Sequence, residues 1–286
     1  MAVATSSRIR ARAVSDRAEI AAFLRTDRLF AAYALGDLDG PNRRRVAWGM
    51  AYDEMGEATA VAMHHEGLVP QPLFLMGDPI GCRAILDSVI KPRDAYLMAT
   101  EQLDAVVAPL YELESPVAML RMVVDRLTFR PHAGPAERLT ALDIDDLNAL
   151  YQLGFRAGFP ASVVEDGVYH GVRVRGRLVS AAGTHAINER EGIAVVGNVL
   201  THADYRGHDF AKMVTSAVTA DLLARVTDVA LNVHASNVSA VAAYARLGYR
   251  VHCRLTERLI RRRHGGWGLM RPIREAMRFG WPREPR

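Results

Sequence analysis

The stretch Val196-Gly197-Asn198-Val199-Leu200-Thr201-His202-Ala203-Asp204-Tyr205-Arg206-Gly207-His208-Asp209-Phe210-Ala211, with the run that follows to Leu223, decides how this chain is read. It begins as a buried strand, passes through a tight polar loop carrying Arg206 and Gly207, and ends in a helix. Phe210, Met213, Val214, Ala217, Val218 and Leu222 recur at the i, i+3, i+4 spacing of one packed helical face. A strand that enters a helix through such a loop makes an anion site. The first-turn N–H groups lack intrahelical partners, and the helix dipole adds partial positive charge at the same end. Gly207 permits close backbone approach, and Arg206 adds forked cationic donors.

Working outward, Asp228 to His234 alternates as a strand and Ser236 or Asn237 offers an N-cap. A helix then runs from Val238 to Leu247, Gly248 suits its C′ position, and Tyr249-Arg250-Val251 starts another strand. Val199-Leu200-Thr201-His202 with Tyr205-Arg206-Gly207-His208-Asp209-Phe210-Ala211, followed by Leu231-Asn232-Val233, Asn237, Ala240, Tyr244, Leu247, Gly248 and Tyr249, resembles the GNAT superfamily of N-acetyltransferases. The resemblance covers about residues 170–260 in order and spacing. It implies an α/β (α+β) fold whose mixed, mostly antiparallel sheet is flanked by helices.

The resemblance also implies acetyl-CoA as co-substrate, with no metal, and an N-acetyltransferase acting on the primary amine of a small-molecule or peptide acceptor. Main-chain groups of Val199, Leu200 and Thr201 would pair with the pantetheine arm as an added strand does. Arg206, Gly207, His208, Asp209, Phe210 and Ala211 would hold the pyrophosphate, and Asn237 would contact the cofactor arm. Tyr244, two helical turns beyond Asn237 on the same face, would sit near the thioester sulfur and protonate the leaving thiolate. Phe155, Phe159 and Tyr169 are the residues the family pattern would place around the acceptor. For a base, His185, His202, Asp204 and His234 are the candidates, because the organising strand carries no Glu.

One position departs from the family loop. Counted from Arg206, its central Gly is Asp209 here. At a guessed ~6 Å and an effective dielectric of ~20, this carboxylate would cost roughly 3 kcal/mol against one phosphate charge. Arg206 or a protonated His208 would offset that, or Asp209 would turn outward as a first-turn acid. The departure and the missing Glu leave a second function open, a catalytically weak acyl-CoA-binding sensor or interaction module that keeps the fold.

At 286 residues the chain has room for two ordinary domains, and its 50% hydrophobic and 24% charged content is that of a globular protein. The net charge of +4 is scattered apart from Arg261-Arg262-Arg263, which favours an anionic small ligand over nucleic acid. Lys91 and Lys212 are the only lysines. Cys82 and Cys253 form no metal or disulfide pattern, and no apolar run reaches the ~18–20 residues of a membrane span. The expectation is a cytoplasmic protein without nucleic-acid or membrane partners, a homodimer remaining open.

The first half repeats the design. Ile9 to Val14 reads as a strand, Ser15-Asp16 as a cap with Glu19 near the capping-box position, and Arg17 to Leu24 as a helix. Arg138 to Leu142, Asp143 and Ile144 to Leu153 return the same sequence of elements, which suggests an internal duplication. Between them come a helix near 29–38, strands at 46–52, 59–64, 73–76 and 95–100, and helices at 83–90 and 101–113. Asp78 and Pro79 replace the Arg-Gly features that favour phosphate, so this half reads as a degenerate GNAT-like scaffold. Arg130 to Pro135 breaks the pattern, giving expected domains of 1–130 and 136–262 and a tail, 263–286, with a short helix at 273–279.

Overall fold

The computed structural model of the chain describes residues 9–40, 43–153 and 159–263. In chain order these form β1 (Arg10–Ala13), α1 (Arg17–Leu24), α2 (Ala32–Asp39), β2 (Val46–Tyr52), β3 (Ala58–His65), β4 (Pro72–Gly77), α3 (Pro79–Ser88), β5 (Asp94–Ala99), α4 (Asp104–Val107), β6 (Tyr111–Leu113) and β7 (Val117–Asp125). They continue as β8 (Glu137–Arg138), α5 (Ile144–Tyr151), α6 (Ala161–Asp166), β9 (Tyr169–Val174), β10 (Arg177–Asn188), β11 (Ile193–Thr201), α7 (Phe210–Leu223), β12 (Asp228–His234), α8 (Val238–Arg246) and β13 (Arg250–Arg262). Two compact units result, residues 9–120 with 253–263, and residues 121–252. Both are mixed, mostly antiparallel sheets with helices, as the fold class requires.

The first unit orders its strands β1-β2-β3-β4-β5-β13, with β6 also on β13. Only β4 and β5 among these neighbours run parallel, joined by the crossover helix α3. Ala62, Leu73, Leu75, Ile85, Leu97 and Ile260 are in its sealed core. The second unit runs β7-β12-β11-β10-β9-β8, and here too a parallel pair, β11 with β12, is joined by a helix, α7. Its core gathers Leu147, Leu150, Tyr151, Tyr169, Leu178 and Leu200.

The division of the chain differs from the expected 1–130 and 136–262 in two places. It falls before the Arg130–Pro135 break, and residues 253–262 of the last strand lie with the first unit. The two closing strands expected near 251–260 are one, β13, pairing with β5 from Thr256 to Arg261. The helix expected over 101–113 is confined to a short turn and α4, because Tyr111–Leu113 pairs with Ile260–Arg262 as β6. The strand expected at 138–142 is two residues of ladder before Thr140 caps the next turn. Glu19 completes no capping box: Asp16 caps α1, while Glu19 binds Arg12 and the Tyr52 hydroxyl. The 169–185 hairpin forms as read, its turn carried by Arg175 at φ 52° and Gly176 at φ 81°. The helix placed at 273–279 and Phe155 lie outside the described residues.

Candidate active site

The site is built where β11 stops being an ordinary strand. β11 pairs with parallel β12 only from Ile193–Asp228 to Val196–Leu231. On its other side, Gly197 pairs with Gly183 and Leu200 with Ala181, so Asn198 and Val199 together face one residue of β10. This is a β-bulge, and Asn198 carries it in the left-handed region at φ 55°. From Gly197 onward the β12-facing edge of β11 has no ladder partner in β12. A single extended ligand fits such an edge by main-chain hydrogen bonds. Leu200 and Thr201 are held from the β10 side, where Ser180 Oγ contacts the Leu200 carbonyl at 3.2 Å and Thr201 Oγ1 at 2.8 Å.

The bulge is gripped by two tyrosines. Tyr151 Oη donates to the Asn198 carbonyl at 2.6 Å, and Asn198 Nδ2 donates to Tyr169 Oη at 3.0 Å. Tyr169 Oη in turn donates to the Thr184 carbonyl at 3.3 Å. Both rings are fully buried, and burial pushes the Tyr169 phenol up to about 12 and raises that of Tyr151 well above its ordinary value. Both phenols therefore stay protonated at neutral pH. Phe159, expected near the acceptor, packs edge-on against Tyr151 with ring centres 5.1 Å apart. Its backbone N–H and carbonyl are both bonded by the Asn148 carboxamide.

Beyond Thr201 the chain makes a short 3-10 turn, Ala203–Tyr205, and enters α7. Gly207 adopts φ 82°, and a Cβ there would meet nothing within 4 Å, so glycine serves the backbone angle and leaves the loop face open. Asp209 occupies the N-cap of α7 in the left-handed conformation, φ 62°, with no side-chain cap bond. The first-turn amides of α7 thus receive no capping side chain from this loop. Asp209 thus adopts a positive φ, a conformation that Asp tolerates better than most residues. Its carboxylate is directed along the helix to Lys212 Nζ at 2.7 Å. That bond, first, holds the Asp209 carboxyl below its usual range. Arg206 is exposed, and its guanidinium makes no hydrogen bond or ion pair among the described residues. His208 is exposed and stacks at 5.7 Å on Phe210. Phe210 and Ala211 are half-buried at the start of α7.

Asn237 caps α8, its Oδ1 accepting from Ala240 N at 3.1 Å and Ser239 Oγ at 3.0 Å. Its amide nitrogen is the group left for another partner. Tyr244 is buried in α8, 6.0 Å between ring centres from Tyr249, and burial lifts its phenol to about 12. Its hydroxyl bonds to no group among the described residues. The candidate bases are committed locally. His202 Nδ1 caps its own turn at Asp204 N while Nε2 meets Arg177, and His234 Nδ1 receives Ser236 N and faces its hydroxyl at 2.7 Å. Asp204 is exposed beside His202, and His185 is exposed on β10. Among the described residues no three His, Cys, Asp or Glu side chains gather as metal ligands do.

The corresponding crossover of the first unit is closed. Asp78 caps α3 by accepting Gly81 N at 2.8 Å, and Pro79 at the helix start has no N–H to offer. A carboxylate of the chain thus stands at the helix entry where an anion would bind.

Residues 167–259 match the family model described as FR47-like protein. The fold is similar to that of a Novosphingobium aromaticivorans protein assigned to the GNAT acetyltransferase family, at 21% identity, 83% of this chain, 100% of that one and a TM-score of 0.57. It is also similar to a Drosophila protein, at 13% identity, 88% and 98% coverage and a TM-score of 0.64. A tandem GNAT protein from the clavulanic acid biosynthesis pathway aligns at 12% identity, 88% and 98% coverage and a TM-score of 0.51. Among curated proteins none matches. The stretch from β9 to β13 thus carries the FR47-like match, and the fold of the chain is that of the GNAT-family structures it aligns with.

Three residues of the site were not singled out from sequence: Tyr151, Asn198 and Lys212. Gly197-Asn198 inside a strand pattern was the available signal, since an isolated glycine there marks a bulge and Asn accepts the left-handed conformation.

Proposed function

We propose that the second unit binds acetyl-CoA and transfers its acetyl group to the primary amine of a small-molecule or peptide acceptor by direct attack. The observation that carries the reading is the conjunction, on one crossover, of a strand edge abandoned by its parallel neighbour and a helix entry without a capping side chain. The first fits an extended pantetheine arm and the second a pyrophosphate. Acetyl-CoA supplies an acyl carbon already activated as a thioester. In this reading Val199, Leu200 and Thr201 bind the arm by main-chain groups, and Asn237 donates its amide N–H to it. Arg206, Gly207, His208, Phe210 and Ala211 surround the phosphates together with the first-turn amides of α7, while Lys212 neutralises Asp209.

Tyr244 holds the proton on the leaving-group side. With its phenol at about 12 it remains protonated. Outright transfer to a thiolate of reference pKa ~8.5 would run uphill, so its role is hydrogen-bond donation to the departing sulfur. The amine forms the new C–N bond as the C–S bond breaks, and its surplus proton leaves through solvent. A second reading, an acyl-CoA-binding module with weak catalysis, is favoured by the commitment of His202 and His234 to their own turns.

Calorimetric titration with acetyl-CoA decides first, on wild type and Arg206→Ala. Micromolar binding that the substitution weakens tenfold or more supports the site. No binding at millimolar acetyl-CoA removes both readings. Binding without acetyl transfer to any of a broad set of amines leaves the binding module.

A further inference from the structure

The bulge in β11 is an unusual thing for Asn198 to sustain by itself. A left-handed non-glycine residue inside a strand reverts to the extended region unless its surroundings fix it. Reversion would restore a regular ladder, and every side chain and amide beyond the bulge would change face. Two phenols from outside β11 meet this one residue, Tyr151 at its backbone carbonyl and Tyr169 at its side-chain amide. The phenols come from different elements, α5 and β9, each fully buried and anchored in the same apolar cluster. Tyr169 is further fixed by its bond to the Thr184 carbonyl on β10. α5, β9 and β10 thus all converge on the conformation of a single peptide of β11.

We propose that Tyr151 and Tyr169 are positioning residues that hold Asn198 left-handed, so that the bulge turns a β11 backbone N–H towards the acyl carbonyl of the bound thioester. The inference rests on the acyl-CoA reading given above for the identity of the ligand, but the clamp itself does not. A bulged residue leaves its ladder partner, which frees its main-chain groups for a ligand. A backbone donor fixed in advance at an acyl oxygen stabilises the negative charge that develops there. The hydroxyls touch neither ligand nor reacting atoms; they act through the peptide they hold.

The test compares acetyl-CoA with free CoA, which shares every contact except the acyl carbonyl. Wild type should bind acetyl-CoA several-fold more tightly than CoA by calorimetry. Tyr151→Phe should lose that preference while its affinity for CoA stays within about twofold, since one hydrogen bond to the carbonyl is worth roughly a factor of five. Tyr169→Phe should act in the same direction. Asn198→Gly in the Tyr151→Phe background should restore the preference, because glycine adopts φ 55° without help. A merely structural tyrosine would lower both affinities together and would not be rescued by glycine; either result overturns the proposal. In the ligand-free protein, amide exchange across residues 196–201 should rise about tenfold in Tyr151→Phe. Unchanged exchange overturns the clamp whether or not CoA binds. Wild type that binds neither CoA nor acetyl-CoA overturns the acyl-CoA reading and the carbonyl role with it, and the exchange measurement still decides the clamp.

Discussion

Lys212 Nζ lies 2.7 Å from Asp209 Oδ2, three residues back along the same helix entry, and the lysine is buried while the carboxylate faces outward. The carboxylate that sequence reading places against a phosphate is therefore matched by a cation of the chain. The pair is half in solvent, and such pairs contribute about 0.5–1 kcal/mol to folding. Its larger consequence is for charge at the loop.

Lys212→Ala should weaken acetyl-CoA binding about tenfold, because Asp209 would then face the phosphates uncompensated, by roughly 1–3 kcal/mol at an effective dielectric of ~20. Asp209→Gly alone should change the dissociation constant by less than about threefold, and the double variant should bind better than Lys212→Ala. Calorimetry in low and high salt checks both the order and its electrostatic origin, since screening should shrink the differences.

Tyr244→Phe should lower the acetyl-transfer rate by about ten- to a hundredfold at unchanged acetyl-CoA affinity. Its hydroxyl has no hydrogen-bond partner among the described residues, so the melting temperature should move by no more than about 2 °C. A large loss of stability with the loss of rate would mean that the phenol is a packing group.

Asp37, on α2 in the first unit, is desolvated without a compensating cation among the described residues, and burial raises its carboxyl from 3.8 to about 7. For an acid raised in the folded state, the folded form holds the extra proton between those values. Stability therefore falls as pH rises from about 4 to 7 and stays reduced above. Asp37→Asn should raise the melting temperature at pH 8 by several degrees, a few kcal/mol at about 2–4 °C each, and leave it almost unchanged at pH 4. An equal effect at both pH values would exclude ionisation as the cause.

A fragment of residues 136–262 should not give a well-ordered domain. The strand that would close it has residues 253–262 in the other unit, where Ile260 is sealed in the core and Thr256 to Arg261 pair with β5. Ending the chain at residue 252 should likewise unfold the first unit. Limited proteolysis and denaturant titration of both fragments against the full chain test this; two cooperative, protease-resistant fragments would contradict it.

The crossover from β11 through α7 to β12 was legible because it is local. Helical spacing, the Arg-Gly loop and the Asn237 cap are written within a few residues of where they act. The hairpin with Arg175-Gly176 was legible for the same reason. The destination of β13 was not, because an alternating strand records which face is buried and not which neighbour it joins. The 101–113 segment misled similarly: its apolar spacing suited a helix, but Tyr111–Leu113 found a strand partner about 150 residues away. Lys212 was hidden because the residues on its side of α7, Thr215, Ser216 and Thr219, are polar and give no sign of burial, and Tyr151 by reading as one more core aromatic.

The closed helix entry of the first unit gives the chain an internal comparison of a capped and an uncapped entry. Asp78 satisfies Gly81 N from within, and Pro79 deletes one donor outright. Reopening that entry to an outside anion requires both residues to change. Asp78→Ser alone still leaves a hydroxyl able to cap and a ring where an N–H is needed. The two units thus stand at least two substitutions apart at this one turn, and a single altered codon cannot convert the strut into a second receptacle.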